Sequence, residues 1–162
     1  MRCTLPTPRL LLALVALGSL AAVGVVYVAQ HQFGVKPCAW CVLQRALFLL
    51  LAVVCGLASL AGGVRPLRLT LSGLGLAITL AGLASAYYQH EVAAQQASCA
   101  MGLADRIVTA LDLEMTWPEM FMITANCADA ATYRLLSLPY EVWSALGFAA
   151  ALGVLLLSLR RR

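Results

Sequence analysis

The sequence predicts an all-α membrane protein, a four-helix transmembrane bundle with two loops on one side, and three observations predict it. Of its 162 residues, 62% are hydrophobic and 11% charged, with a mean hydropathy of +0.89, far outside the range of soluble domains. Four apolar runs, at about 10–29, 42–61, 69–88 and 143–159, each suffice to cross hydrocarbon roughly 30 Å thick, which takes about 20 helical residues. The charges sort by side. Seven Arg (Arg2, Arg9, Arg65, Arg68, Arg160, Arg161 and Arg162) flank the runs at one end, and all seven acidic residues fall between the third run and the start of the fourth. Excess positive charge marks the cytoplasmic side. Both termini are therefore expected in the cytoplasm and the loops at about 30–41 and 89–140 outside it, within one transmembrane domain spanning residues 1–162. The net charge of +4 follows from this topology and not from nucleic-acid binding.

Taken in order, the first run follows Arg2 and Arg9 as a signal peptide would. It is longer than a signal h-region and lacks an Ala-x-Ala site at its end, so it reads as a retained helix. The second run opens at Pro37-Cys38-Ala39-Trp40-Cys41, and Arg45 is the only charge inside it. The third carries Ser72, Gly75, Thr79, Gly82 and Ala86 at spacings of three and four, a small-residue face suited to close helix contact. In the long loop, Leu113, Met115, Trp117, Met120, Phe121 and Ile123 alternate irregularly with Asp112, Glu114 and Glu119. Two readings stand open there: a short amphipathic helix in the membrane interface, broken by Pro118, or a loop collapsed on a small core of its own. Trp40, Tyr87 and Tyr88 are placed to join an aromatic belt. His31 and His90 fall at the outer ends of helices, as interfacial residues with water partners or as proton carriers.

The chemistry lies in the cysteines. A Cys-x-x-Cys serves zinc, haem attachment or thiol redox. No His follows Cys41, which removes the haem reading, and four Cys split between two loops (Cys38 and Cys41, Cys99 and Cys127) make a poor zinc site, so no metal is expected. In a bacterial envelope the compartment outside the inner membrane is oxidising, and thiol pairs there are disulfides or exchange partners. Cys41 falls in the first turn of a helix, where unpaired backbone N–H groups favour a thiolate. Arg45, one turn further on, projects from the same face and offers its cation to that thiolate or to a developing oxyanion; the alternative is an Arg snorkelling to the interface. Cys99 and Cys127 alone would make a structural staple, closing a loop of about 28 residues for roughly 3 to 4 kcal/mol. Two pairs facing one compartment suggest instead electrons passed by disulfide exchange. Cys3, on the cytoplasmic side, and Cys55, about 21 Å deeper than Cys41, cannot reach the other four.

Together, Lys36-Pro37-Cys38-Ala39-Trp40-Cys41-Val42-Leu43-Gln44-Arg45, the later Cys99 and Cys127 with Trp117-Pro118 and Phe121 between them, and Leu138-Pro139 leading to Trp143 resemble the DsbB family of disulfide-bond formation proteins. The resemblance covers nearly the whole chain. It implies a four-helix enzyme of the bacterial inner membrane that reoxidises the periplasmic thiol oxidase DsbA and passes the electrons to ubiquinone or menaquinone. It further implies that Cys99 takes the mixed disulfide with that partner, that Cys127 attacks Cys38, and that Cys41 leaves as the thiolate facing the quinone. Arg45 matches the family's quinone-contacting Arg, and His90 a His near the same ring. The family's Trp-Phe-Leu-Gly-Leu before the last helix is replaced by Tyr133-Arg134-Leu135-Leu136-Ser137-Leu138, a departure that bears on how the loop docks and leaves the relay residues in place.

Two rival readings differ in what they expect. A protein resembling vitamin K epoxide reductase would carry its loop cysteines before the Cys-x-x-Cys, whereas here Cys38 and Cys41 come first. A non-catalytic membrane scaffold would hold two inert disulfides and bind no quinone.

Overall fold

The computed structural model describes residues 7–61, 64–95 and 102–160; Cys3 and Cys99, two of the cysteines singled out above, lie outside the described residues. Four helices are long and apolar enough to cross a membrane: α1 (Pro8–Phe33), α2 (Ala39–Leu60), α3 (Arg65–Glu91) and α8 (Tyr140–Arg160). Their neighbours are α1 with α2, α2 with α3, α3 with α8 and α8 with α1, a closed four-helix ring. The chain is thus a multi-pass membrane protein.

Local chemistry sets the ends. Thr7 caps α1 by accepting from the Leu10 N–H at 3.3 Å, with Pro8 in the first turn. The same helix stops at Gly34, whose φ of +64° is the left-handed conformation that glycine adopts without strain. The helices run past the apolar windows on the loop side: α1 ends at Phe33, not 29, α3 at Glu91, not 88, and α2 and α8 begin three residues early, at Ala39 and Tyr140. These extra turns carry Gln30, Gln89, Cys41 and Glu141.

The core is built from Leu12, Val15 and Val23 of α1, Phe48, Leu51 and Cys55 of α2, Ile78 of α3, and Phe148 and Leu155 of α8. Leu14, Val53, Leu80 and Leu157 are exposed on the outside of the bundle, as lipid-facing side chains are. The small-residue face of α3 does what its spacing predicts. Ser72, Gly75, Thr79, Gly82 and Ala86 are all buried, and Ser72 and Thr79 return their hydroxyls to carbonyls one turn back in the same helix. Phe148 lies over Gly82 and stacks on Phe48, ring centroids 3.9 Å apart at 9°. Cys55 is fully buried beside Gly75, in the bundle core away from the other thiols.

Over the mouth of the ring, the second loop folds into short helices: α4 (Leu103–Ala110), α5 (Leu113–Thr116), α6 (Pro118–Phe121) and α7 (Cys127–Ala130), preceded by a 3₁₀ turn at Ala93–Gln95. Among the described residues, helices α4 to α6 share the core of the bundle and do not build a separate one. Ala104, Val108, Met120 and Phe121 are buried against the bundle, while Met115 and Trp117 stay exposed. The segment is broken at Pro118 as expected: α5 ends at Thr116, Trp117 is not helical, and Pro118 starts α6, a position that suits a residue lacking an N–H. The departure at Tyr133–Leu138 forms a two-residue hairpin, β1 (Arg134–Leu135) against β2 (Leu138–Pro139), turned by Leu136 and Ser137 at φ of 51° and 69°. It is held to α8 by the Trp143 indole N–H, which donates to the Leu135 carbonyl at 2.9 Å.

A Cβ on Gly82 would collide with the Phe148 ring, and that ring is fully buried and cannot swing away. Gly82→Ala is therefore expected to destabilise the bundle by about 1 to 3 kcal/mol, seen as a lowered midpoint of thermal unfolding in detergent, whereas Gly73→Ala, which meets nothing within 4 Å, leaves it unchanged.

Candidate functional site

Cys38 caps α2. Its backbone is extended (φ −92°, ψ 172°), and its Sγ accepts from the Cys41 N–H at 3.4 Å. That geometry brings the sulfurs of Cys38 and Cys41 to 2.9 Å. A third thiol arrives from the second loop: Cys127, at the start of α7, is buried in one cluster with Cys38, Ala93 and Ala130. The approach is anchored through the backbone, because the N–H groups of Thr124 and Ala125 both donate to the Pro37 carbonyl, at 3.0 and 3.2 Å. Cys38 therefore sits between Cys41 and Cys127.

The three sulfurs are not equivalent. Hydrogen bonds to Cys127 and to Cys41, together with burial, push the Cys38 thiol up, while its bond to Cys38 holds the Cys127 thiol below the ordinary cysteine value. A group with a lowered value keeps its thiolate, the nucleophilic form, at lower pH. In the reduced protein Cys127 is thus the readier of the two to ionise.

Two glutamines complete this layer, and the sequence reading gave neither a role. Gln89 Nε2 approaches Cys41 Sγ at 3.3 Å and Cys38 Sγ at 3.6 Å, and its Oε1 accepts from Gln44 Nε2 at 2.8 Å. Both amides are almost wholly buried. A buried amide at the end of an apolar run costs free energy unless its bonds are made, and that cost was the available signal.

Arg45 is buried on the face of α2 that carries Cys41, and the two residues line one cavity of about 210 Å³. Its Nη1 donates to Gln30 Oε1 at 2.6 Å and to the Met120 carbonyl at 2.9 Å, while Nε has no partner among the described residues. This is not a snorkelling side chain. The rest of the lining is mostly apolar, with Val23 and Val26 from α1, Phe48 from α2 and Trp143 from α8, and it includes Glu141. His90 is placed outside the cavity: its side chain is 50% exposed, and its Nδ1 lies 3.2 Å from Oε1 of Glu141, which is 3% exposed. His31, also exposed, bonds through Nδ1 to the Tyr27 carbonyl at 2.9 Å. Trp40 packs on Tyr88, ring centroids 4.8 Å apart, over the thiol cluster.

A membrane bundle with interacting thiols from two loops at its mouth defines a class, the membrane-embedded thiol–disulfide oxidoreductases. Comparison with known proteins narrows it. Residues 8–158 match the family of DsbB, Disulfide bond formation protein DsbB, and the chain belongs to that family. Among its relatives, Disulfide bond formation protein B of Polaromonas naphthalenivorans is 32% identical over 154 residues, covering 90% of this chain and 87% of the relative. Disulfide bond formation protein B 1 of Pseudomonas aeruginosa is 30% identical over 162 residues, 98% of each. That of Verminephrobacter eiseniae is 34% identical over 161 residues, 96% of this chain and 88% of the relative. The chain is accordingly a disulfide bond formation protein, an oxidoreductase that works on thiols at a membrane.

The asymmetry between the thiols can be read by alkylation. In reduced protein with Cys3, Cys55 and Cys99 replaced by Ala, Cys127 is expected to react with iodoacetamide down to a lower pH than an ordinary thiol, because its thiolate persists there, and Cys38 only at a higher pH. Mass spectrometry of digested samples across a pH series checks the order; equal midpoints for the two residues would contradict it.

Proposed function

We propose that this protein resides in the bacterial inner membrane with both termini in the cytoplasm, reoxidises a periplasmic DsbA-like dithiol oxidase by disulfide exchange, and delivers the electrons to a membrane quinone, ubiquinone or menaquinone. The observation that carries the reading is the placement of Cys38 against both Cys41, at 2.9 Å, and Cys127. A sulfur that touches one thiol of its own loop and one of the other loop is where exchange between two disulfides must occur. The periplasmic orientation rests on the seven Arg and seven acidic residues at opposite ends of the helices.

The proposed sequence starts with both pairs oxidised, Cys38 to Cys41 and Cys99 to Cys127. The partner's thiolate attacks Cys99; the bond to Cys127 breaks, and Cys127 leaves as a thiolate. Cys127 attacks Cys38, and Cys41 is released. The partner's second thiol then displaces Cys99, and one disulfide leaves with the partner; Cys99 attacks Cys127, which restores that disulfide and frees Cys38, so that two electrons remain on this chain as the thiols of Cys38 and Cys41. Gln89 serves the releasing step, because a donor 3.3 Å from Cys41 Sγ gains strength as charge develops on that sulfur.

The cavity supports the quinone assignment. Arg45 Nε is a buried donor without a partner among the described residues, on a side chain that lines an apolar space together with Cys41, and a flat apolar ring bearing carbonyl oxygens fits such a pair. When bound, a quinone supplies the electron sink for the pair at Cys38 and Cys41. Arg45 would hold and polarise such a group, and Phe48, Val23 and Trp143 would keep water away from it.

Two measurements test the reading. Cys127→Ser leaves Cys99 without its partner within the chain, and on mixing with the oxidised periplasmic oxidase it is expected to accumulate a covalent complex on a non-reducing gel, which Cys99→Ser does not form. A Cys127→Ser lane without the shifted band would refute the relay. Arg45→Ala is expected to raise the apparent KM for quinone and to lower turnover, with Arg45→Lys intermediate because it keeps the charge without the planar fork; unchanged quinone kinetics in the Ala variant would remove Arg45 from the quinone site.

A further inference from the structure

Glu141 is the feature that the proposed relay leaves unexplained. It opens α8, is 3% exposed, and lines the same apolar cavity as Cys41 and Arg45. Its two oxygens have different surroundings. Oε1 meets His90 Nδ1 at 3.2 Å, on a ring half open to solvent; Oε2 is buried with no hydrogen-bond partner among the described residues. An unpaired buried carboxyl oxygen costs free energy that apolar packing at the same position would not. The side chain thus joins an exposed imidazole, through one carboxyl oxygen, to the lining of the cavity.

We infer that Glu141 is the proton donor to the bound acceptor in this cavity and that His90 reloads it from water. The inference rests on the quinone reading given above. Oxidation of a dithiol to a disulfide gives up two electrons and two protons, and reduction of a quinone to its quinol takes up two of each. The electrons arrive through Cys41, whereas the protons of the partner's thiols are released to water outside the bundle, so protons must enter the cavity by another path. Glu141, as the carboxylic acid, gives a proton into the cavity that it lines. The carboxylate left behind takes one from the His90 imidazolium across the 3.2 Å contact, and the exposed ring is recharged from water. Two passes complete one turnover, and no further oxidant or reductant is needed.

The other ionisable groups that face this space are Arg45 and Cys41 of α2, Lys36 of the segment before it, and Tyr140 beside Glu141; α1 contributes only apolar side chains. Arg45 is committed by Nη1 to Gln30 and Met120. As a guanidinium it keeps its proton, so it stabilises charge and does not serve as the donor.

The test uses the full chain in lipid nanodiscs, with ubiquinone carrying one isoprene unit as the probe. Binding is followed by quenching of tryptophan fluorescence, and single-turnover reduction of the probe by the reduced protein is followed by absorbance in water and in deuterium oxide. Glu141→Gln keeps the size and removes the transferable proton. It is expected to bind the probe within about threefold of the natural chain, yet to reduce it roughly 100-fold more slowly, the scale of general acid catalysis, with a larger solvent isotope effect. His90→Gly is expected to slow likewise and to recover when imidazole is added to the solution, a rescue that a purely structural role would not give. Probe binding with wild-type reduction rates in Glu141→Gln would overturn the proton path and leave the quinone reading standing. Loss of probe binding in that variant would make Glu141 a holding group and overturn the inference as well. Failure of the unaltered chain to bind the probe would sink both.

Discussion

A cation inside an apolar bundle must be satisfied by the protein itself, and Arg45 is the side chain around which the loop side of this molecule is arranged. Neither lipid nor water is at hand, and an unpaired guanidinium there would cost several kcal/mol. Its Nη1 bonds reach Gln30, which requires α1 to run on beyond its apolar stretch, and the Met120 carbonyl, which requires α6 to turn inward over the mouth of the bundle. Gln30 also donates to the Glu119 carbonyl at 3.1 Å, so the same amide ties α1 to α6. One buried charge thereby joins a transmembrane helix, its neighbour and the second loop. With the loop drawn down, Thr124 and Ala125 reach Pro37, and Cys127 comes to rest on Cys38.

This dependence explains which parts of the molecule could be read from the sequence. The four spans were legible because hydropathy reports contact with lipid, and Leu14 or Val53 must face lipid whatever the bundle does inside. The small-residue stripe of α3 was legible for a similar reason, since a spacing of three and four has one structural use in an apolar helix. The ends of the helices were not. Gln30, Gln89 and Glu141 lie just outside the apolar runs, where polarity resembles the start of a loop; the structure keeps them helical because their amides and carboxyl find partners on other elements. Pairing between distant polar residues leaves no periodic trace in one chain.

The candidate site divides along the same line. Cys38, Cys41 and Arg45 are close in sequence, and one turn of helix fixes their relation, so their shared role could be read at once. The contact of Cys127 with Cys38 depends on the folding of the whole second loop, and only the resemblance to a family had paired them. His90 stands half exposed at the end of α3 and meets Glu141, which lines the cavity. That contact was invisible in the sequence because Glu141 is 51 residues away from His90.

The Pro37 carbonyl has a consequence beyond holding a loop in place. It accepts two N–H groups from residues immediately before α7, so Cys127 hangs from a fixed point only a few ångströms of chain from its target. In the proposed relay, a sulfur freed at Cys127 has little room to diffuse, and its local concentration at Cys38 stays far above that of any small thiol in the surrounding water. Fidelity of electron transfer would then be kinetic in origin: glutathione or another soluble competitor meets a sulfur already engaged, and the tether decides the outcome before reduction potentials have time to act.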